Sequence, residues 1–389
     1  MKIYKRDVTQ SYFKNAYFKS GVNSSKNYVP ADNKICTNRY NMKPIAFYLP
    51  QFYQNATNDK NWGEGYTEWD AVTRSVPIFL NHYQPQLPDQ MGFYNLNYQD
   101  PFIKQIDIAK KYGIYGFCFY LYNFGDQIEL RLPLDNFCNT KGLNFPFCIC
   151  WANENWTRKW DGKDKEILIT QKYCPTALLK IAEDFCKYFK HRNYIKINGK
   201  PLFIVYNPKE IPNLSQFAEL MRSICAKNCI GDIHLSYVNK EFDFSPEKFG
   251  FDSVTEFPPH NMFGIQHKNI SKILFTRNFN GKVFDLEDYI QNLVYKDSSY
   301  KIFRSAFPAW DNSPRKLLDS HIFYGASPKL FELWLKKIKA FTIKNHPSDE
   351  RIFFINAWNE WGEGAHLEPD KKYGYAYLQA LRNVLDGDN

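Results

Sequence analysis

Eight short apolar runs, dense in β-branched and aromatic residues and separated by stretches of helical periodicity, constrain this 389-residue chain more than any other feature. They cover residues 45–50, 115–122, 145–152, 201–206, 233–238, 253–257, 302–307 and 352–358. Runs that are nearly continuous, rather than alternating with polar residues, mark strands buried on both faces, as in a parallel sheet. Helical patterns fall between most of them, at 100–112, 176–189, 213–227 and 328–345, with a last one at 373–385. Strands and helices in this order predict an α/β chain built as a (β/α)8 TIM-like barrel with long βα loops. An open doubly wound sheet is the alternative. Against it, no G-x-G-x-x-G follows the first strand and no G-x-x-x-x-G-K-[ST] occurs.

The expected organisation is a basic N-terminal extension, residues 1–42, followed by one catalytic barrel, residues 43–389. Residues 1–43 hold nine Lys/Arg against two Asp/Glu, which places most of the net charge of +9 in this lead segment. Such a segment suits a solvated cover of the barrel, or peripheral contact with an anionic membrane surface. No nucleic-acid-binding signature accompanies it, so no nucleic-acid partner is expected. No apolar run approaches the ~18 residues of a membrane span, and no signal-like stretch follows the basic start. The nine cysteines form no paired C-x-x-C motifs, which predicts reduced thiols and a cytoplasmic protein. The eight histidines show no H-x-H or H-x-x-x-H spacing, and neither metal nor other cofactor is expected.

Aromatic residues make up 18% of the chain. Most belong in a core, but Trp and Tyr also gather beside carboxylates and amides at the C-terminal ends of the expected strands, where barrels keep their active sites. These ends carry Tyr48 and Gln51; Tyr120; Trp151, Asn153, Glu154 and Trp156; Tyr206; Glu256 and His260; Trp310, Asp311 and Arg315; and Asn359, Glu360 and Trp361. The first long loop adds Glu68, Trp69 and His82. Flat apolar faces flanked by hydrogen-bonding groups suit sugar rings, so an oligosaccharide or polysaccharide is the expected partner. Some of these residues have plainer readings. Asp311 with Arg315 also suits a structural ion pair, His82 a satisfied structural histidine, and Trp160 with Asp161 a loop tied down by its own hydrogen bonds.

The sharpest motif is NEWGEG, residues 359–364. Glu360 and Glu363 leave the last strand three residues apart, so they can share one side of a helical turn. Glycoside cleavage needs two carboxyl groups, one to protonate the departing oxygen and one to stabilise or activate the attacking group. If Glu363 is the acid, burial against Trp361 and proximity to Glu360 should raise its pKa. The same spacing also suits an acid pair in a first helical turn facing the helix dipole.

The string FINAWNEWGEGAHLEP, residues 354–369, resembles the signature of the WbsX-like proteins of cell-surface polysaccharide biosynthesis, which are related to glycoside hydrolase family 99, the endo-acting α-mannosidases. IAFYLPQF, GEGYTEW, HYQPQLP, GIYGFCFYLYNF, CWANENWTRKWDG and PAWDNSPR agree with it, so the likeness runs from about residue 43 to the end. The resemblance implies a (β/α)8 barrel and retaining cleavage of manno-configured α-linkages, as in α-mannose or α-rhamnose, through a 1,2-anhydro sugar. It puts Glu360 where the base for the 2-hydroxyl sits and Glu363 where the acid/base sits. The hydrolase pattern has histidine between Trp361 and Glu363, and this chain has Gly362. Two other classes stay open: a glycosyltransferase of polysaccharide biosynthesis, and a non-catalytic glycan-binding barrel.

Overall fold

A computed structural model describes residues 25–158, 163–240, 244–271, 273–276 and 278–387 of the chain. The first 24 residues of the basic extension, and Trp160 with Asp161, lie outside the described residues. Eight parallel strands form the barrel: β1 (Lys43–Tyr48), β2 (Gly116–Asn123), β3 (Phe147–Trp151), β4 (Lys200–Val205), β5 (His234–Val238), β6 (Ser253–Thr255), β7 (Ile302–Phe303 and Ser305–Ala306) and β8 (Ile352–Ile355). β7 is interrupted at Arg304, and the interruption closes the ring. Its first half pairs with β6 through Val254↔Ile302, and its second half with β8 through Ser305↔Phe354. The predicted barrel is therefore the observed fold.

The expected helices form the outer layer as α1 (Asp100–Lys111), α3 (Pro175–Phe189), α4 (Leu214–Lys227), α6 (Pro328–Asn345) and α7 (Ala376–Asp386). The short α2 (Arg131–Asn139) and α5 (Leu286–Asn292) complete it, and among the described residues the crossover after β5 carries one 3₁₀ turn, Pro246–Phe249. The period-2 alternation of a strand divides the aromatic residues between two layers. Facing the lumen, Phe47 of β1 stacks on Tyr120 of β2 at 5.6 Å and on Phe354 of β8 at 5.3 Å. Facing the helices, Tyr48 packs against Phe102 of α1, and Trp151 against Phe185 of α3 and Phe217 of α4. The register Tyr120↔Cys150 and Cys150↔Ile204 carries the inward phase around the barrel to Tyr206, one step beyond β4.

The boundary expected at residue 42 is not a break in the structure. Residues 25–42 lie on the barrel. Arg382 of α7, fully buried, pairs with Asp32 and stacks on Tyr112 at 4.5 Å, while Asp386 accepts from the Thr37 amide at 2.6 Å and hydroxyl at 2.8 Å. Among the described residues no helix is long and apolar enough to cross a membrane.

Candidate functional site

A cavity of about 390 Å³ opens at the C-terminal mouth of the barrel. Tyr120, Tyr206 and Phe257 line it from the top of the lumen layer. Tyr122, Trp156 and Trp310 bring further aromatic faces, and Glu154, His260, Arg315, Glu360 and Glu363 bring polar ones. Tyr122 meets Trp156 edge-on at 4.8 Å. The His260 Nε2 and the Tyr206 hydroxyl lie 2.8 Å apart. Glu154 pairs with Lys240 and accepts from the Asn207 amide at 2.8 Å. The Trp310 indole N–H is buried and has no hydrogen-bond partner among the described residues. Such a lining offers ring faces and hydroxyl partners together.

The acids come from a tight ribbon rather than the helical turn expected. Asn359–Glu360 pairs antiparallel with Ala365–His366, and a 3₁₀ turn, Trp361–Glu363, joins them. Gly364 sits at φ 60°, the left-handed region that favours glycine, and a Cβ there would approach the Gln86 amide nitrogen to 2.9 Å. Arg315 enters from the short helix Ser313–Lys316 in the loop after β7. Its Nη1 lies 2.9 Å from Glu363 Oε1, its Nη2 bonds Glu360 Oε1, and its Nε donates to Glu68 Oε1 at 2.8 Å. Three carboxylates around one guanidinium leave an excess of negative charge when all are ionised. Burial first, then the like charges of Glu363 and Glu68, push Glu360 up to about 8 against the pull of Arg315. Glu360 is the more deeply buried acid of the pair, and Glu363 keeps 25% of its side chain exposed. The guanidinium occupies the point where these acids converge, and among the described residues no group of three His, Cys, Asp or Glu side chains is arranged to hold a metal.

A buried frame holds the turn. Glu368 accepts from the Trp361 indole at 2.7 Å, the Trp358 indole at 3.1 Å, the Tyr94 hydroxyl at 2.9 Å and the Gln105 amide at 2.7 Å. Its burial still raises the carboxyl to about 7. Asn359 clamps Leu49 at the end of β1, accepting from its N–H at 2.8 Å and donating to its C=O at 3.0 Å. Trp361 stacks on His366 at 3.6 Å.

Of the residues singled out from the sequence, the cavity gathers Tyr120, Glu154, Trp156, Tyr206, His260, Trp310, Arg315, Glu360 and Glu363. Glu68 reaches it through Arg315. The others lie elsewhere, each for a physical reason. Tyr48 and Trp151 are on the helix-facing phase of their strands, bonded to Gln105 at 2.8 Å and to the Asn123 carbonyl at 3.0 Å. Trp69 donates to the Tyr94 carbonyl at 2.9 Å, and Trp361 and Asn359 belong to the frame. Asn153 ties its own loop to Asn207 at 2.7 Å. Glu256 pairs with Arg304 at 2.6 Å across β6 and β7. Gln51 is fully buried, and its amide has no partner among the described residues. His82 accepts from the Ile78 amide at 3.0 Å and faces Asp311 at 2.7 Å, so Asp311 pairs with His82 and Gln84 rather than with Arg315.

Sequence reasoning reads Tyr122 and Asn312 at strand ends without assigning them to the site, and it missed Lys240 and His321 as lining residues and Glu368 as their support. Tyr122 was legible, two residues beyond Tyr120 on the same face. Lys240 was too, two residues beyond Val238 of β5. Glu368 was harder to find, because two of its four partners, Tyr94 and Gln105, are brought to it from far along the chain.

The profile of the family described as Glycosyltransferase WbsX matches residues 44–381. WxcX of Xanthomonas campestris pv. campestris is 39% identical over 342 residues, which is 88% of this chain and 49% of that protein. The chain thus spans about half the length of the curated relatives it matches. Among solved structures, a glycoside hydrolase-like protein superposes with a TM-score of 0.57 at 15% identity, covering 92% of this chain and 98% of that one. The GH99 endo-alpha-mannosidase from Bacteroides thetaiotaomicron gives 0.49 at 15% identity, covering 88% and 96%.

Proposed function

The chain belongs to the family described as Glycosyltransferase WbsX, and from that membership and the cavity chemistry we propose that it is a carbohydrate-active enzyme cleaving or transferring at α-glycosidic bonds of manno-configured sugars. The observation that carries this reading is that Glu360 and Glu363, both lining the cavity at the barrel mouth, meet one guanidinium through Nη2 and Nη1. Two acids held that close can serve the two faces of one sugar.

In this reading Glu360 takes the proton of the 2-hydroxyl as O2 bonds to C1, and Glu363 gives its proton to the departing oxygen as the C1–O bond breaks. Water, or a second sugar hydroxyl, then attacks C1. It gives its proton to Glu363 while Glu360 returns one to O2, so protons balance and the anomer is retained. The raised pKa makes the Glu360 carboxylate a strong base for a hydroxyl proton. Trp310, Trp156 and Tyr122 supply platforms, and Glu154 and His260 grip hydroxyls. The nine cysteines are free thiols, which fits a reducing compartment and a role in building surface polysaccharide rather than degrading it outside the cell.

The test is incubation of the protein with α-mannosyl and α-rhamnosyl oligosaccharides. Product should form, and Glu363→Gln should cut turnover by about 10²–10⁴-fold, the usual contribution of a general acid. Binding without turnover in either protein would mean a glycan-binding barrel instead. The family's description favours transfer as a second reading. Product that appears only when a nucleotide sugar is added would establish it.

A further inference from the structure

The main chain between the two acids is pressed against the Glu68–Arg315 pair. A Cβ on Gly362 would sit 1.8 Å from Glu68 Oε1 and 2.7 Å from Arg315 Nε, so no side chain fits there while the pair is in place. Glu68 opens the short helix Glu68–Thr73, which begins with a capping box at Thr67. Its neighbour Trp69 packs on Trp361 at 5.7 Å, and Glu68 itself is fully buried. A rigid element thus delivers one carboxylate to the back of the guanidinium, and its other nitrogens reach Glu360 and Glu363 through one oxygen of each.

We infer that Arg315 apportions the exchangeable proton between Glu360 and Glu363, and that Glu68 with the bare Cα of Gly362 is the device that positions it. The inference rests on the two-acid reading above. In each half of that reaction one acid gains the proton equivalent that the other loses. A cation touching both sees constant total charge, so the exchange needs no reorganisation of its surroundings. A lysine could not replace it, since one ammonium lacks the planar fork that spans three carboxylates. The groups facing Glu360 are Arg315, Glu363 and Glu68 together with Tyr120 and Tyr122 of β2, and burial holds both tyrosines in their neutral form. Glu68 therefore acts on Glu360 twice, as a like charge and as a competitor for the guanidinium.

The experiment is a carbon-13 NMR titration of the glutamate carboxyls in the full chain, with Glu360 assigned through its Gln variant. In Glu68→Gln the Glu360 midpoint should fall by about one pH unit or more, and in Arg315→Met it should rise by at least as much. Midpoints that stay where they are in both variants would overturn the inference. A second measurement covers the chance that Arg315→Met does not fold. Gly362→Ala should lower the melting temperature, and the loss should shrink by about half or more in a Glu68→Ala background, because the clashing oxygen is gone. An equal loss in both backgrounds would overturn the positioning role. Wild-type protein inert toward α-mannosides with these shifts intact would support the clamp and end the glycosidase reading, whereas turnover with unmoved midpoints would do the reverse.

Discussion

Replacing Glu360 by glutamine should stabilise the protein, and increasingly so as pH rises. The carboxyl titrates near 4.5 in an unfolded chain and near 8 in the folded one. A folded-state pKa above the unfolded value contributes stability that is complete below about 4.5 and lost as pH climbs through about 8. Each unit of the window is worth about 1.4 kcal/mol, so between pH 5 and 7.5 the wild type should lose about 3 kcal/mol relative to a side chain that cannot ionise. The other buried acids that titrate in this range, Glu368 and Asp370, both near 7, occur in both proteins and cancel from the difference. Arg315 keeps Glu68 and Glu363 in the variant, so its own charge stays paired. For a chain of this size 3 kcal/mol corresponds to roughly 4 °C. Melting curves of both proteins at half-unit steps from pH 5 to 8.5 would read it. Parallel profiles, or a wild type that gains on the variant with rising pH, would refute the assignment of Glu360 as a buried acid opposed by like charge.

Three further outcomes follow from the same geometry. Glu368→Gln, although isosteric, should cost about 2–4 kcal/mol in urea unfolding, because both carboxylate oxygens accept from two donors each and an amide NH₂ would face two of them. Unchanged stability would show that the frame does not depend on charge. Trp310→Ala should weaken oligosaccharide binding by about 10-fold in calorimetric titration, through loss of an aromatic platform; equal affinity would remove Trp310 from the site. Arg382→Met should destabilise the protein by about 1–2 kcal/mol and expose residues 25–42 to proteolysis, the cost being moderate because Asp32 stays half-exposed. Protease resistance equal to wild type would mean that other contacts hold this segment.

The barrel was legible because a parallel sheet covered on both sides writes itself as apolar runs, and eight such runs leave few topologies. The site was legible in part. Strand ends announced Glu360, Glu363 and Tyr120, but the choice between lumen and helix layer depends on strand phase, which Tyr48 and Trp151 show to be invisible in a continuous apolar run. Tyr120 and Trp151 look alike in sequence, and one step of register sends one into the cavity and the other to Phe217. Pairings across the chain were hidden for another reason. Asp311 and Arg315 suggest each other at a spacing of four, but the fold brings His82 to the first and Glu68 to the second, partners more than 220 residues away. Gly362 read as a departure from the hydrolase pattern, and its meaning emerged only with the Glu68–Arg315 pair lying where its Cβ would be.

The most direct test of the two-acid account is proton NMR of the first sugar released from an α-mannosyl or α-rhamnosyl oligosaccharide, recorded before mutarotation. The account predicts the α-anomer from the wild type and release slowed by about 10²–10⁴-fold in Glu363→Gln. A β-anomer as first product, or release undiminished by that substitution, would contradict it.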